Sequence, residues 1–273
     1  MHLPTLTTLE LLMHEQVLEV RLNRPDKSNA LNDAMWQEIR QAFDWADGEA
    51  SVRAIVLSGA GKHFCSGIDL AMLGGVMARV AHTDEARGRE ALRRLILDLQ
   101  DCLTAVERCR KPVLAAIQGA CVGGGLDLAV CCDMRYASSD AQFAVREIDI
   151  GMVADVGVLQ RLPKLIPEGL TRELAYTGRN LGADEAKACG LVNSVWPEAE
   201  SLRAGVLQIA AQIAAKSPLS VRGSKEILNY SRDHSVADGL NYVATWNAAM
   251  LLSADLKEAM TASREKRAPQ FLD

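Results

Sequence analysis

The sequence predicts an α/β fold carrying a helical C-terminal region, and three observations predict it. Short apolar runs that read as strands alternate with amphipathic helical patterns over most of the chain. Most of those strands are continuous apolar stretches, as strands buried on both faces of a parallel sheet are. After about residue 197 strands stop and helical segments follow one another. The expected division is an α/β core over residues 1–197 and a helical region over 198–273.

VLEVRL at 17–22 alternates as a strand and meets the turn-rich NRPDKSNAL. Asn32 fits a helix cap, with Met35, Trp36, Ile39, Ala42, Phe43 and Ala46 following at helical spacing. RAIVLSG at 53–59 is a short buried strand ending in glycine. Residues 89–109 form a long amphipathic helix whose apolar stripe is Leu92, Leu95, Ile96, Leu99, Leu103 and Val106. PVLAAIQG (112–119) is the next buried strand, GGGLDLAVCC (123–132) opens a helix, and DMRYAS (133–138) is another strand. Segments 199–215, 219–230, 235–252 and 254–265 are helical. Val236, Leu240, Val243, Trp246, Met250 and Leu251 exceed what one thin layer needs, so part of this region is expected to cover a neighbouring subunit and the active site.

The chain has 273 residues, 49% hydrophobic and 24% charged, enough for a sizeable core. A net charge of −5 with mixed signs offers no basic footprint for nucleic acid, although a few local Lys or Arg suffice for an anionic ligand. Seven cysteines, an odd count without a C-x-x-C pair, read as buried free thiols. The five histidines (2, 14, 63, 82 and 234) form no H-x-x-x-H cluster, so no metal site is expected. No stretch has the length of a membrane span, and neither end carries a recognised address, so the default location is cytoplasmic.

REIDIGMVADVG at 146–157 places Glu147, Asp149 and Asp155 among Ile148, Ile150, Met152, Val153, Ala154 and Val156. Acids in such company are costly unless paired, hydrogen-bonded or used. Two glycine-rich loops, GKHFCSGIDL (61–70) and CVGGGLDL (121–128), each follow a strand. Such loops expose unpaired N–H groups, and two converging donors make an oxyanion hole. GAGKHF lacks P-loop spacing, GACVGGG lacks G-x-G-x-x-G, and no G-x-S-x-G elbow occurs.

RPDKSNAL, GKHFCSGIDL, GACVGGGLDLAVCCDMRYAS and REIDIGMVADVGVLQRLP, in that order, resemble the crotonase (enoyl-CoA hydratase/isomerase) superfamily, and within it most resemble the dienoyl-CoA isomerases. YSRDHSVADGLNYVATWNAAML at 230–251 resembles that subgroup's C-terminal helices. The resemblance implies a ClpP-like fold of repeated ββα turns, acyl-CoA thioester substrates, and a homotrimer or homohexamer. It implies neither a metal nor a separate cofactor, since CoA is part of the substrate. It places an oxyanion hole at the backbone N–H groups of Ile68 and Gly124 and the acids at Asp127, Glu147 and Asp155. It sets Lys27 and Ala30 along the CoA path and Cys65, Ser66, Gly67, Asp69 and Gly123 around the thioester. Lys266 is a further candidate for the CoA phosphates, supplied across a subunit boundary.

In the family's hydratases two glutamates hold a water at the positions matching 127 and 147. Here position 127 is the shorter Asp, and position 155 adds an acid where those hydratases have none. The resemblance therefore implies conversion of 3,5-dienoyl-CoA to 2,4-dienoyl-CoA in fatty acid β-oxidation, Glu147 taking the C2 proton and Asp155 delivering one to C6. Asp127 tunes or positions them. Asp149 and Asp133 are expected to be structural acids, and His63 to pack beside its loop. The alternatives are a 2-enoyl-CoA hydratase, an RNA-binding relative that the mixed charge of 89–109 disfavours, and a Clp-type serine peptidase that the missing Ser–His spacing disfavours.

Overall fold

The computed structural model describes residues 2–81 and 84–273, so His82 of the histidine inventory lies outside the described residues. In chain order the elements are β1 (Leu9–His14), β2 (Val17–Leu22), α1 (Asp33–Gly48), β3 (Ala54–Gly59), α2 (Leu70–Val80), α3 (Glu85–Arg108), β4 (Val113–Ile117), β5 (Ala120–Val122) and α4 (Gly124–Val130). There follow β6 (Met134–Ser138), β7 (Gln142–Ala144), a 3₁₀ turn at Glu147–Ile150, α5 (Val158–Arg161), α6 (Glu168–Thr177), β8 (Leu181–Gly182), α7 (Ala183–Ala188) and β9 (Ser194–Trp196). The chain continues through α8 (Ala199–Ala214), α9 (Pro218–Arg232), α10 (Val236–Met250) and α11 (Ala254–Glu265).

The main sheet runs β1-β2-β3-β4-β6-β9, antiparallel only between β1 and β2. A second, small sheet runs β5-β7-β8. Each of β4 and β6 thus hands the chain to a short strand of the second sheet. Between Ile117 and Ala120, and between Ser138 and Gln142, the chain crosses from one sheet to the other.

Strand parity explains the apolar runs. On β3 and β4, Ile55, Leu57, Val113, Ala115 and Ile117 face the main core with α1, α3 and α4. Ala54, Val56, Leu114 and Ala116, together with Val17 and Tyr136, face Leu202, Val206, Ala210 and Ala214 of α8. Both faces are covered, so no position has reason to be polar. The first helix past residue 197 is therefore a layer on the sheet. The remaining helices start at serine caps: Ser217, Ser235 and Ser253 accept from the backbone N–H of Ser220, Asp238 and Leu256. Asn32 caps α1 as expected, accepting from Met35 N at 3.0 Å.

One polar residue interrupts the α8 face. Glu19, fully buried on β2, accepts from Arg203 Nε at 2.7 Å, Ser58 Oγ at 2.8 Å and Arg21 Nη2 at 3.2 Å, and meets His14 Nε2 at 3.0 Å. Burial alone would raise its pKa, but the bonds from Arg203, Ser58 and His14 outweigh it and lower it to about 2. A carboxyl held below its ordinary value of 4.5 stabilises the fold above that pH, and the contribution disappears as pH falls toward about 2. Glu19→Gln should cost about 2–3 kcal/mol at neutral pH in denaturant unfolding, because Arg203 loses its counter-charge while Arg21 keeps only Glu10. The variant should also lose less stability than the parent on acidification from pH 5 to pH 3; an equal loss contradicts this account.

Candidate active site

Three main-chain segments meet at the C-terminal ends of β3 and β4. The loop after β3 is stitched on one side to residues 28–31, with Ser66 N donating to Ser28 O at 3.0 Å and Leu31 N to Gly67 O at 2.8 Å. On the other side Phe64 N and Cys65 N donate to Gln118 O and Ala120 O, and Val122 N donates to Cys65 O. The approach is close. A Cβ on Gly125 would lie 2.5 Å from Cys65 O, so only glycine permits it.

This stitching leaves two amides over. The ladder with Leu31 uses Gly67 O and Asp69 N and skips the Ile68 N–H between them. Gly124 is the first residue of α4, where an N–H has no intrahelical acceptor. Among the described residues neither amide has an acceptor, and a Cβ on Gly124 would sit 3.7 Å from Ile68 N. The two turns therefore lie against each other with free donors.

The acids gather at the same place. Gly123 has φ +52°, and a Cβ there would lie 3.3 Å from Glu147 Oε1, so the carboxylate rests on the glycine turn. Among the described residues Glu147 has no cationic partner. Arg146 is taken by Asp149 and Asn180, and Arg135 by the carbonyls of Leu191 and Cys132. Asp127 is wholly buried, and its Oδ1 accepts from Val158 N at 2.6 Å, which anchors the start of α5. Its Oδ2 and Glu147 Oε2 are buried without a hydrogen-bond partner among the described residues. Asp155 is half-buried across the turn from Glu147 and does not cap α5, whose cap is Gly157.

Burial raises all three carboxyl pKa values. Asp127 lies well above the ordinary carboxylate range because of burial, then because of the adjoining charge of Glu147; the Val158 N–H opposes both. Burial also lifts Glu147, and Asp155 adds to it. Asp155 is lifted by burial. Asp127, with the larger rise and no exposed surface, favours its protonated form more strongly than Glu147 does.

The other expected site residues divide. Cys65 is buried, its thiol pushed up to about 12, so it is wall rather than nucleophile. Ser66, Gly67 and Ala30 lie along the stitched loops, and Lys27 is exposed at the end of the turn Pro25–Lys27. Asp69 caps α2, accepting from Ala71 N at 3.0 Å, and pairs with Arg24 at 2.9 Å. Lys266 is exposed beyond α11, and no hydrogen bond or ion pair of the described residues joins it to this site. His63 packs as expected, its Nδ1 accepting from Ala120 N at 3.0 Å. Asp133 holds Val113 N and Lys225, and Asp149 holds Arg146.

Sequence reasoning missed Arg24 and Asn29. Asn29, buried with φ +55°, donates to the carbonyls of Ala60 and His63 and accepts from Arg24 N, fixing the loop. The signal was an asparagine in a turn-rich run, the residue type that tolerates left-handed backbone.

Residues 13–273 match the family model described as Enoyl-CoA hydratase/isomerase. The chain is similar to the mitochondrial Delta(3,5)-Delta(2,4)-dienoyl-CoA isomerase of Homo sapiens, 47% identical over 93% of this chain and 77% of that one. It is also similar to the peroxisomal protein of the same name from Arabidopsis thaliana, 48% identical over 93% and 92%. The crystal structure of an enoyl-CoA hydratase from Bacillus anthracis superposes with a TM-score of 0.88 at 32% identity, covering 97% of this chain and 99% of that one. These relatives overturn the cytoplasmic expectation, since they are mitochondrial or peroxisomal. An organelle address is a short segment read by a receptor, and neither composition nor core motifs report it.

Asp127→Asn tests the proton assignment. A carboxyl raised above its ordinary 3.8 favours the fold fully below that pH and progressively less as pH rises toward the folded value. Asparagine never ionises and keeps an oxygen for Val158 N–H. The variant's thermal midpoint should exceed the parent's by ~2 °C or more at pH 8, with a smaller gap at pH 4. A gap that does not grow with pH contradicts the assignment.

Proposed function

The chain belongs to the enoyl-CoA hydratase/isomerase family, and from that premise we propose that it is a dienoyl-CoA isomerase of fatty acid β-oxidation, converting 3,5-dienoyl-CoA to 2,4-dienoyl-CoA. The observation that carries the reading is Asp155, a second part-buried acid across the turn from Glu147, with no cation among the described residues to neutralise either. The Homo sapiens and Arabidopsis thaliana relatives, named for this reaction, support it.

The thioester oxygen sits between the N–H groups of Ile68 and Gly124. Glu147, ionised, removes a proton from C2, and the electron pair moves onto that oxygen, where the two amides stabilise it. The negative charge is shared with C4 and C6 through the two double bonds. Asp155, kept protonated by burial, delivers its proton to C6, and the double bonds come to rest at C2 and C4. Glu147 ends protonated and Asp155 ionised; exchange with solvent resets them. Asp127 does not touch the substrate. It holds its proton beside Glu147 and keeps that carboxylate charged. No metal and no separate cofactor take part; CoA enters with the substrate, Lys27 and Ala30 flank its path, and Lys266 of another subunit reaches its phosphates.

The protein acts as a homotrimer or homohexamer. The exposed Val236, Leu240 and Met260 of the last two helices, with Leu252 in the turn between them, support this, because such surface is costly in water. Light scattering should give three or six times 29.6 kDa, and a 29.6 kDa particle contradicts the assembly.

With purified protein, 3,5-dienoyl-CoA should gain the absorbance of the 2,4-diene, and 2-enoyl-CoA should not be consumed. Faster consumption of 2-enoyl-CoA would make it the hydratase. Asp155→Asn should lower kcat on the diene about 10²–10⁴-fold while C2 hydrogen still exchanges with D₂O. Normal isomerisation by that variant refutes the role of Asp155.

A further inference from the structure

Ala154, Val156 and Val158 around Asp155 pack into the core, and Val158 N donates to Asp127, but the backbone at Asp155 itself is outside helix and strand. Between Met152 and α5 the chain forms neither helix nor strand. The Asp155 carbonyl is tied to α3, where Gln100 Nε2 donates to it at 2.6 Å. Gln100 is one of three polar residues at i, i+4 and i+7 on one face of α3. The others, Thr104 and Glu107, take Arg161 at the far end of the segment, with Glu107 Oε2 2.7 Å and Thr104 Oγ1 3.4 Å from Arg161 Nη2. Arg161 in turn lies on Gly157, where a Cβ would fall 2.0 Å from Nη1. The segment 155–161 is thus fastened at both ends to a polar stripe of one helix.

Behind the turn lies a cavity of about 400 Å³, with Gln100 and Thr104 on one wall and Val156 and Gly157 on the other. Apolar packing does not fill that space, so a turn released from Gln100 has room to move into it. Resting on the isomerase reading above, we propose that Gln100 is a positioning residue, which fixes the Asp155 backbone so that its carboxyl meets C6 of a tail already held by its thioester. The proton removal at C2 does not depend on it, because Glu147 is held by the Glu147–Ile150 turn and rests on Gly123.

Gln100→Met keeps the length of the side chain and removes the donor. It should lower kcat on 3,5-dienoyl-CoA about 10-fold or more and leave KM within about 3-fold, since a small misplacement of a reacting group acts on the chemical step. Exchange of the C2 hydrogen of 3,5-dienoyl-CoA with D₂O should continue at the parent rate, which a general structural defect would not allow. Gln100→Leu, of similar bulk and without a donor, should behave the same way and decides the matter if the Met variant folds poorly. Parent-like kcat in either variant, or loss of C2 exchange in step with isomerisation, overturns the proposal. Failure of the parent protein to isomerise the diene is a separate result: it removes the functional reading, and the positioning role with it.

Discussion

Everything at this site depends on how closely two backbones approach at Cys65 and Gly125. A carbonyl 2.5 Å from where a Cβ would stand leaves no alternative residue. The loop after β3 is held there by main-chain bonds to residues 28–31 and to 118–122, with His63 and Asp69 adding side-chain bonds at its two ends. That is why the free donors of Ile68 and Gly124 are produced by backbone geometry. Substituting the side chain at 68 leaves the N–H where it is. The glycines, in contrast, cannot be exchanged, because a Cβ at 125 would meet Cys65 O, one at 67 would meet Val122 O and one at 123 would crowd the Glu147 carboxylate.

Two groups of buried acids obey the same electrostatics and end in opposite states. Glu19 is surrounded by Arg203, Arg21, Ser58 and His14, and its pKa falls. Asp127, Glu147 and Asp155 have burial and one another for company, and theirs rise. The first arrangement couples α8 to the sheet. The second is an expense to stability with no structural return, apart from the bond of Asp127 to Val158 N–H. Three carboxyls raised by burial and gathered near two amides without an acceptor among the described residues form the kind of cluster that marks a candidate site.

Much of this was legible in the residues. The strands around 54–59, 113–117 and 134–138, the Asn32 cap and the serine-capped helices follow from periodicity and from side chains that bond their own backbone. What was not legible needed partners distant in sequence. LELLMH of β1 reads poorly because only Leu9 of it is buried. The helix α2 is apolar along most of its length and offers no stripe. Nothing in residues 199–214 says that α8 is a layer of the sheet and the later helices are not. Asp127 and Val158 are 31 positions apart, and Gln100 and Asp155 are 55 apart. Gln100 also sits in a helix whose polar positions look alike until a second segment is laid against one of them.

The position of Asp127 bears on which reaction the family's scaffold performs. Two carboxylates that face a common cavity can share a water and add it across a double bond. With aspartate at 127 the carboxyl is fully buried and one oxygen is committed to Val158 N–H, whereas Glu147 is only partly buried. The second accessible acid stands instead at 155, on the other side of the turn. In the proposed reaction the distance between the two acids, rather than a new kind of group, separates proton transfer along a conjugated tail from hydration. Such a distance is only as well defined as the turn that carries it, and that turn is tied through a main-chain carbonyl to a helix on the opposite side of the cavity.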